Sequence, residues 1–109
     1  MTAVVVFRAR VRPGVDEAYA AAAAHMEELA RVQPGFLDVF GSVDDESGVE
    51  TTIVLFEDEA SVRAWRDHPE HQAVRRRGHE EFYDWFEIIV ASSARQYEWN
   101  RPEENPPAP

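Results

Sequence analysis

The chain predicts an α+β fold of the ferredoxin-like type: βαββαβ order, a four-stranded antiparallel sheet, and helices on one face. Three observations predict it. Segments of period 2 and segments of helical period alternate in that order along 109 residues, a length suited to one core. A polar stretch, Asp44-Asp45-Glu46-Ser47-Gly48, joins the second and third strands as a hairpin loop. Pro-Gly pairs at Pro13-Gly14 and Pro34-Gly35 bracket the first helix.

Ala3 to Arg12 is β-branched and then alternates, which makes a strand with two different faces. Val5, Phe7, Ala9 and Val11 share one face, and Val4, Val6, Arg8, Arg10 and Arg12 share the other. Asp16 to Val32 is an Ala-rich helix with acids early and Arg31 late, as the helix dipole favours. Its apolar stripe is Tyr19, Ala22, Ala23, Met26, Leu29 and Ala30. Phe36 to Val43 and Glu50 to Phe56 form the hairpin. Glu57 to Arg66 is a short helix contacting the core through Ala60, Val62 and Trp65. His68-Pro69 breaks it, and Pro fits the first turn of the next helix, expected to run on through Phe86. Glu87 to Trp99 is the last strand. Residues 1–100 are thus one domain, and Arg101 to Pro109, with four Pro, is an extended tail.

Composition excludes several functions. With no Cys, disulfides, thiolate metal sites and Cys nucleophiles are impossible. A net charge of −10 opposes binding to nucleic acid and to anionic membranes. The longest apolar run, Tyr19 to Ala24, is far short of the ~20 residues that span a bilayer. The N-terminus lacks the pattern of a signal peptide, so a cytoplasmic location is expected. One face of the sheet carries Val4, Val6 and either Phe36/Phe40 or Leu37/Val39, too apolar for water. A homodimer with sheets packed face to face is expected.

Candidate chemistry concentrates between Phe56 and Phe86, which holds two of the three Trp and three of the four His. Stepping about 100° per residue from His71 brings Val74, Arg75, Gly78, Phe82, Trp85 and Phe86 to its side of the helix. His71 then points into an aromatic wall, either as a packed core residue or as part of a site. His68 before Pro69 reads equally as a helix cap. Arg75, Arg76 and Arg77 are expected to pair with Glu70, Glu80 and Glu81. His25 has no partner pattern. His68 and His71 are separated by the Pro69 break and have no third ligand at suitable spacing, so no metal site is expected.

Trp65, then His68-Pro69-Glu70-His71, Arg77-Gly78, Phe82-Tyr83 and Arg95-Gln96-Tyr97 closing a strand together resemble the antibiotic biosynthesis monooxygenase domain. The resemblance covers residues 3 to 99 and implies a dimeric α+β barrel with a pocket between helices and sheet in each protomer. It further implies oxidation of polycyclic phenols or quinols by molecular oxygen without a cofactor, or, in another branch, binding and degradation of haem. That second branch implies an Asn on the first strand, a Trp at Trp65 and an axial His about ten residues later. Here Phe7 and Arg75 stand at the other two positions. The first branch implies a base, hydrogen-bond donors for the resulting anion and a dry apolar slot. His71 is the expected base, because imidazole titrates in the right range, and Tyr83 the expected partner of the substrate oxygen. Phe7, Trp65, His68, Phe82 and Trp85 are the expected substrate-binding residues, although aromatics of this kind also suit plain core. No cofactor is expected, with haem as the alternative. A non-catalytic small-molecule binding domain is the third reading.

Overall fold

The computed structural model describes residues 1–103, so residues 104–109 of the expected Pro-rich tail lie outside the described residues. The element order is β1 (Ala3–Val11), α1 (Asp16–Arg31), β2 (Phe36–Val43), β3 (Glu50–Phe56), α2 (Glu59–Arg66), α3 (Pro69–Arg77) and β4 (Tyr83–Ser92). A single π turn, Gly78–Phe82, joins α3 to β4. The four strands form one antiparallel sheet in the order β2-β3-β1-β4, the ferredoxin-like arrangement. No helix among the described residues is long and apolar enough to cross a membrane.

Local chemistry sets the helix ends. Asp58 caps α2 by accepting from the Ser61 backbone N–H at 2.8 Å. Pro69 opens α3, and the His68 Nδ1 accepts from the Glu70 N–H at 3.2 Å. His68 therefore caps a helix. The Asp44 carboxylate accepts from the Ser47 backbone and hydroxyl and closes the β2–β3 hairpin loop.

Three boundaries differ from those expected from the sequence. The helix expected to continue through Phe86 stops at Arg77, and β4 begins at Tyr83 instead of Glu87. Tyr83-Asp84-Trp85-Phe86 is aromatic and alternating, and pairing with β1 fits it better than a helix does. The strand also ends early, at Ser92, so Arg95, Gln96 and Tyr97 follow it without regular structure. Helical phase measured from His71 consequently says nothing about Trp85. That residue pairs with Arg10 on the far side of the sheet, and the Arg8 and Arg10 guanidinium groups stand 5.6 and 5.5 Å from its ring. Trp85 is not a wall of the expected pocket.

The core lies between the helices and the inner side of the sheet. Ala3, Ala30, Phe56, Val62 and Trp65 are buried together, with Val5, Met26, Leu29, Phe36 and Val54 packed against them. Small Ala3 and Ala30 leave room for Trp65 and Phe56. A bulge between Phe36 and Asp38 breaks the alternation of β2, which splits the two alternatives left open by the sequence. Phe36 turns inward, its ring centroid 6.1 Å from that of Phe56, while Phe40 pairs with Ile53 on the outer side.

That outer side carries Val4, Val6, Phe40, Ile53, Leu55 and Ile89 in adjacent register positions. It is the surface on which the expected homodimer would form. Sedimentation should give a dimer for the wild type and dissociation for Ile53→Glu; a stable 12.4 kDa wild-type species at micromolar concentration would contradict this. Phe56 is fully buried, and Phe56→Ala should cost about 3–5 kcal/mol in a denaturant titration.

Candidate active site

The inner side of the sheet is covered unevenly. Val5 pairs with Val90 and Phe7 with Ile88, so all four side chains point toward the helices. Ile88 and Val90 are nevertheless 47% and 49% exposed. The helices pack over β2, β3 and β1 and leave the β4 edge open as an apolar trough, floored by these four residues.

One end of the trough is Trp65 with His71. Val5 packs against the cluster that contains Trp65. The His71 ring lies flat on the indole, with centroids 4.4 Å apart and planes at 9°. Its Nδ1 is 3.0 Å from the Trp65 carbonyl oxygen. That oxygen only accepts, so Nδ1 carries the proton and Nε2 keeps its lone pair. Burial pushes the His71 pKa below its ordinary value, outweighing the Trp65 carbonyl that favours the charged ring, and the Arg75 charge adds to the fall. His71 is thus a neutral imidazole with a free basic nitrogen near neutral pH.

The other end is aromatic. The Tyr83 ring centroid is 5.4 Å from that of Phe7 and 5.7 Å from that of Phe86. His79 meets Phe86 edge-on at 5.0 Å. Tyr83 reaches this position by lying over Gly78, where a Cβ would come within 2.7 Å of its ring. Phe82 is 1% exposed and packs behind, its ring 5.7 Å from Tyr19 and covered by the Arg77 guanidinium at 4.8 Å.

A third group completes the arrangement. The Tyr19 ring, from α1, stands 5.7 Å from that of Tyr83 at 77°, and Glu50 of β3 lies in the same cleft as Tyr19. Burial raises the pKa of both phenols, and the Glu50 charge adds to each. Tyr19 and Glu50 also line a cleft of about 540 Å³ between α1 and the sheet, together with Val11, Asp16, Thr52 and Val43.

Of the residues expected from the sequence, Phe7, Phe82 and Tyr83 come together at one end of the trough. Trp65, His68 and His71 come together at the other, and Trp85 is on the opposite face. His68 touches Trp65, with centroids 5.9 Å apart, while its ring nitrogen serves the α3 cap. Tyr19, placed by the sequence in the apolar stripe of α1, and Glu50, Ile88 and Val90 were not among the expected site residues. A signal existed for Glu50, a carboxylate at an inward position of a strand, and for Tyr19, the only hydroxyl in the apolar stripe of α1. Among the charges, Arg77 pairs with Glu81 at 3.1 Å as expected. Glu70 instead faces His25 of α1 at 3.5 Å.

Haem does not fit these residues. Phe7 offers no hydrogen bond from β1, and Arg75 lines a shallow cleft of about 240 Å³ with Gln72, Arg76 and His79. His71 is held flat against Trp65, with one nitrogen committed to a carbonyl. No group of three or more His, Cys, Asp or Glu among the described residues could hold a metal ion.

Residues 2–77 match the model of the family described as antibiotic biosynthesis monooxygenase. The chain belongs to the antibiotic biosynthesis monooxygenase family. It is 36% identical over 81 residues to the uncharacterized protein YqjZ of Bacillus subtilis (strain 168), covering 74% of this chain and 70% of that protein. Rv0793 from Mycobacterium tuberculosis superposes with a TM-score of 0.79 at 15% identity, over 90% of this chain and all of the other. SnoaB, a cofactor-independent oxygenase from Streptomyces nogalater, superposes with a TM-score of 0.74 at 16% identity, over 87% of this chain and 95% of the other. The structural likenesses establish the fold, and the matched family establishes a monooxygenase-type protein at the family level.

Two measurements check the geometry. In an NMR titration His71 should titrate below the ~6.5 of a free imidazole. The fold favours its neutral form, so the stability it contributes is present above about pH 6.5 and is lost as pH falls through the depressed folded value. A midpoint above 6.5 would contradict the burial argument. Gly78→Ala should displace the Tyr83 ring, seen as altered Tyr83 and Phe7 ring shifts, with the Trp65–His71 pair unchanged.

Proposed function

We propose that this family member is a cofactor-independent monooxygenase that oxidises a small aromatic phenol, quinol or anthrone with molecular oxygen, acting as a homodimer. The trough on the inner face of the sheet is its substrate seat. The observation that carries this reading is an open apolar floor between two groups able to handle protons, neutral His71 and Tyr83. Family membership and the named oxygenase among the similar structures support it.

An aromatic ring laid on Val5, Phe7, Ile88 and Val90 buries apolar surface that the helices leave in water, stabilising binding by ~25 cal/mol per Å² covered. Trp65 and Phe86 flank it. His71 Nε2 takes a proton from the ring carbon that will be oxidised, and Tyr83 holds the substrate hydroxyl. The carbanion passes one electron to oxygen, giving a substrate radical and superoxide. Their combination forms the C–O bond, and the peroxide takes the proton back from the His71 imidazolium. Loss of water, with the second carbon-bound proton, leaves a carbonyl: one CH₂ and one O₂ become one C=O and one H₂O.

Oxygen uptake with an anthrone or quinol, in the presence of a chelator, tests this directly. His71→Ala should lower the rate by ~10²–10⁴-fold, the usual worth of a general base. The rate should rise with pH through a single ionisation below about 6.5 and be flat above it, because only neutral imidazole accepts the proton. No uptake with substrates of either type would remove the reading. A Soret band on titrating haem would move the assignment to the haem-binding branch.

A further inference from the structure

The flank of α3 that faces away from α1 carries charges that the oxygen chemistry leaves unused. On the near flank Glu70 meets His25 of α1 at 3.5 Å, and the Arg77 guanidinium covers the Phe82 ring, which packs on Tyr19 of the same helix. Those contacts fix that side of α3 against α1. Gln72, Arg75, Arg76 and His79 follow the three-and-four spacing of a helical stripe and share the opposite flank. All four are exposed, and together they line the cleft of about 240 Å³.

That cleft is lined by donors and by no acid. Of the three arginines expected to pair with neighbouring glutamates, only Arg77 does so, with Glu81 at 3.1 Å. Glu70 is turned to His25, and Glu80, one helical turn beyond Arg76, does not reach it. Asp67, on which the Arg75 charge acts, is bound first by Arg66 at 3.1 Å. Among the described residues, then, neither Arg75 nor Arg76 enters an ion pair. The chain has 21 acidic residues against 11 basic ones, so two adjacent cations without an acid partner are a local reversal of its charge.

The cleft adjoins the trough. At one end His79 meets the Phe86 ring edge-on at 5.0 Å, and Phe86 lies next to Ile88 along the inner side of β4. At the other end Arg75 is one turn along α3 from His71, the ring stacked on Trp65. The stripe of donors therefore runs beside the uncovered strip of sheet, between the two ends of the trough.

Resting on the oxygenase reading, we propose that this cleft seats a carboxylate, and that the substrate is an aromatic acid. Its phenol ring lies in the trough, and its carboxylate, on the ring or on a short side chain, reaches Arg75 and Arg76. A guanidinium fork matches a carboxylate with two parallel N–H···O bonds, and Gln72 and His79 add further donors. The acidic surface elsewhere repels such a ligand, and this patch attracts it, so the carboxylate orients the ring as it enters. Position on the helix favours a carboxylate over a phosphate. The cleft lies along the last turns of α3, near the negative end of its dipole and far from its free amide N–H groups.

Two probes, 2-naphthol and 6-hydroxy-2-naphthoic acid, share a ring system and a hydroxyl and differ in the carboxylate. Fluorescence titration of each, with no oxygenation required, gives a ratio of affinities. In the wild type at low salt the acid should bind about 5–30-fold more tightly, the combined worth of two exposed charge pairs. Arg75→Gln combined with Arg76→Gln should bring the ratio close to one, and about 0.5 M salt should do the same in the wild type. Arg63→Gln, which removes a charge from the exposed surface of α2, should leave the ratio in place. A wild-type ratio near one, or a ratio unchanged in the double variant, would overturn the seat. Displacement of the acid by equimolar inorganic phosphate would overturn its assignment to a carboxylate. Failure of both probes to bind would overturn the trough and the seat together. Oxygen uptake with a neutral anthrone, and no preference for a carboxylated one, would remove the seat and keep the oxygenase reading. Absence of uptake with either, beside the expected ratio of affinities, would remove the oxygenase reading and leave the seat standing.

Discussion

The structure depends on how β1 is shared. It is a central strand, paired with β3 on one side and β4 on the other, and its inner residues serve two environments. Toward β3 they face the helices, and Ala3 disappears beneath Trp65 and Phe56. Toward β4 the helix layer reaches the Tyr83–Phe86 end but leaves Ile88 and Val90 half in water. The helices above this sheet leave that strip of it uncovered. The uncovered strip is where a ligand gains most from binding, because its apolar floor already exists and needs no rearrangement.

Each end of that strip is fixed by backbone chemistry. The His68-Pro69 break turns α3 so that His71 comes back over Trp65, six residues earlier, and reaches its carbonyl. The break thereby selects the tautomer that leaves Nε2 basic. At the far end the π turn and Gly78 admit the Tyr83 ring, which the bulge between Arg10 and Val11 brings opposite Val11. Bulges and π turns re-aim single side chains where regular elements could not.

Much of this was legible in the sequence. The alternation of Ala3 to Val11, the stripe of α1 and the polar hairpin loop define the βαββ half to within a residue or two, because each has one dominant period. The second half was harder. Phe82 to Phe86 fits a helical phase and a strand alternation equally well over so few residues, and the pairing with β1 that decides between them is a long-range contact. That ambiguity carried Trp85 into an expected pocket from which the strand register removes it. It did not affect Phe7, whose face follows from β1 alone. The approach of Tyr19 to Tyr83, and of Glu50 to the cleft that Tyr19 lines, was invisible for a different reason. These residues come from three elements, and nothing local in the sequence states that they meet.

The function proposed above requires aromatic substrate to sit on the inner, uncovered edge of the sheet. Methyl-labelled NMR during titration with a phenol tests it most directly, since the two sides of the sheet and the α1 cleft carry distinct methyl groups. Shifts are expected at Val5, Ile88 and Val90, with Ile53 and Ile89 on the outer side and Ala20, Ala23 and Val43 around the cleft silent. Shifts confined to the outer or cleft methyls, with Ile88 and Val90 unmoved, would contradict it.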